Sequence, residues 1–288
     1  MPIPGWCHHT IHNDQQARLG LRINDFPKCG DCWCIPSDPD SCPALEPVEK
    51  YSRGVRNALA GQSPNFIYRL SCNPYVDGSS NCTTTPPQVH VHDENTVCGI
   101  VYDEPTNRFS DCGDEYTMKT YQSAKEAEGA GAFVTHTGVC GVCSTTKELS
   151  VYMNNPDLEM GSVECAAASL VSENLGLQCY VDLVLTLDCA RIWVYDSINT
   201  GILCTEHCLR EKRKYSPDPV PANGPYPECT LSDCLQCDED KSDPIFTQFA
   251  GRNRRRSGLR SSIMRPCDGF VEIVHDSCPK DESYATLF

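Results

Sequence analysis

The sequence predicts a mainly α protein with small β elements, in which disulfide-rich, loop-rich terminal segments surround a helical middle. Three observations predict it. The 288 residues include 21 cysteines, spread from Cys7 to Cys278 with no long cysteine-free gap. Helical periodicity is concentrated between residues 146 and 215. Turn-forming stretches such as "PSDPDSCP" and "DGSSNCTTTPP" crowd the N-terminal third.

That many thiols would oxidise and mispair in a reducing cytosol, so the expected location is secreted, the lumen of the secretory pathway or another oxidising compartment. The sequon Asn81-Cys82-Thr83 is compatible with this. The opening "MPIPGWCHHTIHND" is polar, and we expect a chain from which a signal segment has been removed. The most apolar run, Tyr180–Tyr195, is interrupted by Asp182, Asp188 and Arg191 and is shorter than the roughly 20 residues a bilayer requires. No membrane span is expected. A formal charge of −15 argues against nucleic-acid binding, because a polyanion would be repelled. Twenty-one is odd, so at least one sulfur is free, metal-bound or paired with another chain.

The chain divides into three regions. Residues 1–92 form a cysteine-rich loop region held by disulfides rather than by long regular elements. Residues 93–215 form a mainly helical core with short strands. "VCGIVYDEPTNRF" reads as a strand, a turn and a short return strand. "MKTYQSAKEAEGAG" reads as a helix of good formers ending at glycines. "AFVTH" is a short buried strand. Helices follow over Thr146–Asn154, about Ser162–Asn174 and about Cys179–Ile198, and a last one over "ILCTEHCLREKRKY". Cys189 with Ile192, and Cys204 with Cys208, recur at helical spacing, so each pair shares a face that can be stapled to a neighbour. Residues 216–288 comprise a stiff linker with five prolines (Ser216–Cys229) and a cysteine- and arginine-rich tail. No internal repeat is present.

Three groups of residues carry possible chemistry. The first is "THTGVCGVCSTTKEL", with His136, Cys140 and Cys143. Thr145 and Glu148 form a T-x-x-E capping box, which starts a helix directly after Cys143. The amides and dipole of that helix would favour a thiolate nearby, with His136 as base or ion-pair partner. The cap falls later than in a redox CxxC, and two disulfides to other segments explain the same cysteines; a metal site is the third reading. The second group is histidine: His8, His9 and His12 in "CHHTIH", and His90 and His92 in "VHVHD". Two histidines two apart on a strand face one way, the spacing of zinc or copper ligands. A plain solvated surface is the alternative. A Cys₄ zinc site from Cys29, Cys32, Cys234 and Cys237 also has legal spacing, against disulfides.

The third group is arginine: Arg252, Arg254, Arg255, Arg256, Arg260 and Arg265 lie close together in a chain of 24 basic and 39 acidic residues. Guanidinium forks bind carboxylate, sulfate or phosphate. Three readings stand: an internal clasp for acidic residues such as Asp238–Asp240, an anion site, and a dibasic processing site at "RNRRR". No catalytic signature is complete and no family resemblance is specific enough to name. Two functions therefore remain. One is a secreted or luminal disulfide-stabilised binding module for an unknown extracellular partner. The other is a secreted enzyme with a Cys140/Cys143/His136 thiol or metal centre, acting on a small anionic substrate held by the arginines.

Overall fold

Strand β5 (Val97–Tyr102) is the centre of the structure, a computed structural model that describes residues 21–22, 53–88, 95–103, 115–155, 158–216, 218, 220–224, 230–259, 263, 272–273 and 275. On one side β5 pairs antiparallel with β6 (Glu115–Tyr121), and on the other with β7 (Phe133–Thr137). The pairing with β7 shifts register between Cys98 and Gly99. A two-residue strand β2 (Ser63–Pro64) adds parallel to β6 and completes a four-stranded sheet in the order β2-β6-β5-β7. Short antiparallel pairs join β1 (Leu21–Arg22) to β8 (Glu272–Ile273), and β3 (Arg69–Leu70) to β4 (Thr84–Thr85).

The helices are α1 (Arg53–Gly61), α2 (Ala124–Gly129), α3 (Thr146–Asn154), α4 (Leu158–Val171), α5 (Glu173–Asp182), α6 (Leu187–Leu203), α7 (Thr205–Tyr215), α8 (Asp233–Lys241) and α9 (Asp243–Ala250). The fold is thus mainly α with small sheets, as its sequence predicts. Helix α6 is the spine of the helical layer: α4, α5, α7, α8 and α9 all pack on it. Its Cys189, Ala190, Ile192 and Val194 are fully buried, and they share one core with Cys98, Tyr116 and Met118 of the sheet and Phe246 and Phe249 of α9. Trp193 lies between Tyr180 and Phe246, with ring centroids 5.8 and 4.7 Å away.

Six disulfides staple these layers. Cys72–Cys82 closes a loop before the sheet, Cys98–Cys140 ties β5 to the CxxC loop, and Cys143–Cys189 ties that loop to α6. Cys165–Cys179 joins α4 to α5, while Cys204–Cys237 and Cys208–Cys234 join α7 to α8. All twelve described cysteines are paired. The unpaired sulfur implied by an odd count therefore falls among residues outside the described ones. This content of disulfides fits an oxidising environment. No described helix is long and apolar enough to cross a membrane.

Several elements differ from expectation. "MKTYQSAKEAEGAG" is not one helix: β6 runs to Tyr121, and only Ala124–Gly129 is helical. Tyr116, Met118 and Tyr121 are buried against the core, and pairing with β5 from Val97 to Tyr102 outweighs the helix propensity of the flanking Lys, Ala and Glu. Ser123 supplies the cap that lets the helix start late, accepting from the Glu126 amide. The expected helix over Cys179–Ile198 is two, α5 and α6, broken at residues 183–186, where Val184 takes φ +73°. The amide of Thr186 is held by a Glu148 carboxylate oxygen at 2.9 Å, so the break is fixed from outside. Helix α7 begins at Thr205 rather than Ile202. Within the proline-rich linker, Asn223 bridges antiparallel to Leu231, so the chain turns back on itself there. The expected return strand near Phe109 lies outside the described residues.

Candidate functional site: the CxxC loop around a buried arginine

The loop from Thr137 to Thr145 connects β7 to α3, and main-chain bonds to three other segments shape it. The Gly138 amide donates to Thr96 O at 2.6 Å, that of Thr137 to Arg256 O, and those of Val142 and Cys143 to Phe249 O and Ala250 O at the end of α9. Loop and helix end lie so close that a Cβ on Gly141 would sit 2.2 Å from the Phe249 carbonyl oxygen. Only glycine fits there. Gly251, at φ +74°, turns the chain out of α9 against the same loop. Helix α3 then starts where the capping box predicts: Thr145 accepts from the Glu148 amide, and a Glu148 carboxylate oxygen accepts from the Thr145 hydroxyl.

Cys140 and Cys143 do not face each other as a dithiol. Each is buried in a disulfide to a different element, β5 and α6, so neither carries a thiol in this structure. The chemical partner of His136 is instead Ser144. His136 is 0 % exposed; its Nδ1 is 2.9 Å from Thr137 O and its Nε2 is 2.8 Å from Ser144 Oγ. A carbonyl only accepts, so Nδ1 carries the proton and the serine hydroxyl donates to Nε2. Ser144 Oγ also accepts from the Gly141 amide at 2.7 Å. Burial first, and then the Arg252 cation, hold the His136 pKa well below its ordinary value, so the ring is neutral at physiological pH. The proton arrangement matches that of a nucleophile–base pair. Both residues are sealed from solvent, and the pair acts as a brace across the loop.

Arg252 fills the centre of this site. It is 0 % exposed, and its guanidinium donates from Nε to Cys143 O (3.2 Å), from Nη1 to Thr135 O and Ser257 Oγ (3.0 Å each), and from Nη2 to Ser144 O (3.1 Å). Burial pushes its pKa down to about 10, which leaves it a cation at neutral pH. Arg254 donates to the carbonyls of Tyr152 and Asn155 at the end of α3, and Arg256 to Thr247 O in the last turn of α9. Cations at helix C-termini complement the last-turn carbonyls and the helix dipole, and Thr247 O also accepts from the Gly251 amide at 3.2 Å. The three alternate arginines thus bond to main-chain carbonyls, while Arg255 is half-buried between them. Of the acids expected in a clasp, Asp238 accepts from Thr200 and Asp240 from Gln236, while the charge of a neighbouring acid, Asp243, acts on Arg256. Arg260 and Arg265 lie outside the described residues.

So do His8, His9, His12, His90 and His92, together with the Cys29 and Cys32 half of the tetracysteine zinc reading; its other half, Cys234 and Cys237, is disulfide-bonded to α7. Among the described residues, the one cluster with metal-ligand spacing is Cys72, Asp77 and Cys82. Its two sulfurs are bonded to each other, which removes the thiolates a metal would need.

A histidine with a lowered pKa has a signature in solution. The unfolded chain binds a proton at this position below about pH 6.5 and the native chain does not. Stability contributed by neutral His136 is therefore complete above that pH and falls below it, by about 1.4 kcal/mol per pH unit. Urea unfolding between pH 7 and pH 5 should show this acid limb, and His136→Asn, which cannot take up a proton, should lose it.

Comparison with known proteins gives a partial match. Residues 173–273 are similar to a family of unknown function, DUF8771. The matched stretch runs from α5 through the arginine segment to β8, and it excludes His136 and the CxxC loop. No curated protein and no solved structure matches the chain.

Proposed function

We propose that this chain is a secreted or luminal binding module, held by disulfides and engaging an extracellular partner through its outer helical surface. The observation that carries this reading is the fate of the CxxC loop. Both cysteines are staples between elements, His136 and Ser144 are sealed, and Arg252 serves three main-chain carbonyls. The residues with reactive chemistry support the scaffold. What faces solvent is different in kind. At the α6–α7 elbow Ile202 is 70 % exposed, with Leu203 and Leu209 also out, and Arg210, Lys212, Arg213 and Lys214 are exposed beside them. Apolar side chains rimmed by charge on a folded surface mark interaction sites more often than chance exposure does.

Peptide mapping without reduction, after blocking free thiols at pH 6, tests the reading. The expected result is the six pairs above and no label on Cys140 or Cys143. Rapid alkylation of either cysteine in native protein would restore a thiol centre and end the scaffold reading of this loop.

A further inference from the structure

Helix α6 carries two buried acids, Asp188 in its first turn and Asp196 in its middle. Asp196 is 9 % exposed, and its Oδ1 lies 2.7 Å from the hydroxyl of Tyr75, in the loop closed by Cys72–Cys82. The same hydroxyl lies 3.0 Å from the main-chain oxygen of Ser242, at the junction of α8 and α9. A phenol has one proton. A carboxylate and a carbonyl are both pure acceptors, so with Asp196 ionised one of these two contacts would set lone pair against lone pair. With Asp196 protonated, both are hydrogen bonds: the acid donates to the phenol, and the phenol donates to Ser242 O.

The surroundings agree with that count. Among the described residues, the groups acting on Asp196 are Asp238 of α8, Asp243 of α9, Tyr75 of the loop and Tyr180 of α5, none of them a cation. Asp238 is held as an acceptor by the Thr200 hydroxyl. Thr200 then takes its second bond from Ser242 Oγ at 2.6 Å, and Asn199 donates to that same Ser242 oxygen at 2.9 Å. Asp238 and Asp196 thus draw on different donors, and only Asp196 shares its donor, the Tyr75 hydroxyl, with a carbonyl. We infer that the folded protein keeps a proton on Asp196, and that this proton latches the Cys72–Cys82 loop to α6 and to the α8–α9 junction. Burial, then the charge of Asp238, raises the Asp196 pKa well above its ordinary value, and burial likewise keeps Tyr75 protonated.

Loss of the proton would add a further negative charge beside Asp238 and Asp243, and would leave the Tyr75 hydroxyl with one proton for two acceptors. The loop around Asn73–Asp77 would then lift as far as its disulfide allows. The device is pH-sensitive in a definite sense. An acid whose folded pKa is raised contributes stability that is complete below its unfolded pKa of about 3.9 and is lost as pH rises through the folded pKa. His136 works in the opposite direction below about pH 6.5, so the wild-type profile alone conceals both.

Asp196→Asn separates them, because its amide donates to Tyr75 as the protonated acid does. From about pH 4 upward, the unfolding constant of wild type should rise relative to that of D196N by tenfold per pH unit, until the native acid ionises. Amide exchange at Tyr75–Asp77 should accelerate with pH in wild type relative to D196N. Parallel stability profiles for the two proteins would overturn the latch. Infrared difference spectra of wild type with labelled aspartate give a second reading that needs no variant: a protonated carboxylic-acid band above pH 5 is expected, and its absence would overturn the latch equally.

Discussion

Replacing Cys143 and Cys189 together by alanine lowers the stability by about 4 kcal/mol, as expected for a bridge spanning 46 residues of sequence. Cross-linking two distant positions removes loop entropy from the unfolded chain, and the effect grows with the logarithm of loop length. Both sulfurs are fully buried at the meeting of the CxxC loop with α6, so truncation also leaves unfilled core. The internal reference is Cys72–Cys82, which closes ten residues and on the same scale is worth about 3 kcal/mol. Cys82 is buried there as well, but Cys72 is only partly so, and truncation adds a smaller cavity cost than at the two fully buried sulfurs of Cys143–Cys189. Denaturant midpoints for the two double variants, measured without reductant, decide the matter. The Cys143/Cys189 variant should unfold at the lower midpoint. If the order reverses, the CxxC loop is not the staple between sheet and helices that the geometry implies.

Much of this fold is legible in the residues, and the parts that are not share a cause. The Thr145–Glu148 capping box marks the start of α3, and the asparagines before Pro156 mark its end. "AFVTH" reads as a buried strand because it is short, apolar and β-branched. These are local signals. Strand β6 was hidden because its Lys, Ala and Glu neighbours favour a helix, and its pairing with β5 lies about 20 residues away. The break between α5 and α6 was hidden because Glu148, which holds the Thr186 amide, belongs to another helix.

The site follows the same rule. His136, Cys140 and Cys143 are visible as a cluster, but their partners, Ser144, Cys98 and Cys189, depend on tertiary contact. Ser144 was detectable in principle, since it follows the second cysteine of the motif. Asp196 also left a trace: it directly follows the apolar run that ends at Tyr195, in the middle of a helix. Which of six arginines is buried left none. Main-chain carbonyls are identical along the sequence, and carbonyls are what select Arg252.

Replacing Arg252 should therefore be among the most damaging single changes in the chain. Arg252→Met keeps much of the side-chain volume and deletes the guanidinium, so the carbonyls of Thr135, Cys143 and Ser144 lose donors inside the core. A buried acceptor left unpaired costs about 1–3 kcal/mol. Removing a buried cation relieves a desolvation penalty of several kcal/mol, which offsets part of that loss. The expected net cost is about 3 kcal/mol, visible as a lower denaturant midpoint at unchanged slope. Arg252→Lys distinguishes geometry from charge. An ammonium keeps the positive charge and its desolvation cost, but it is a point donor and cannot reach three diverging carbonyls as a planar fork does. The lysine variant should lose at least as much stability as the methionine one. The acid limb assigned to His136 then supplies an independent check. Arg252 is the second cause of the lowered His136 pKa, after burial. In R252M that pKa should climb toward its ordinary value, so the loss of stability below pH 6.5 becomes shallower; in R252K, where the charge stays, the limb should persist. A lysine variant as stable as wild type would mean that charge alone, rather than the three-carbonyl fork, holds the loop in place.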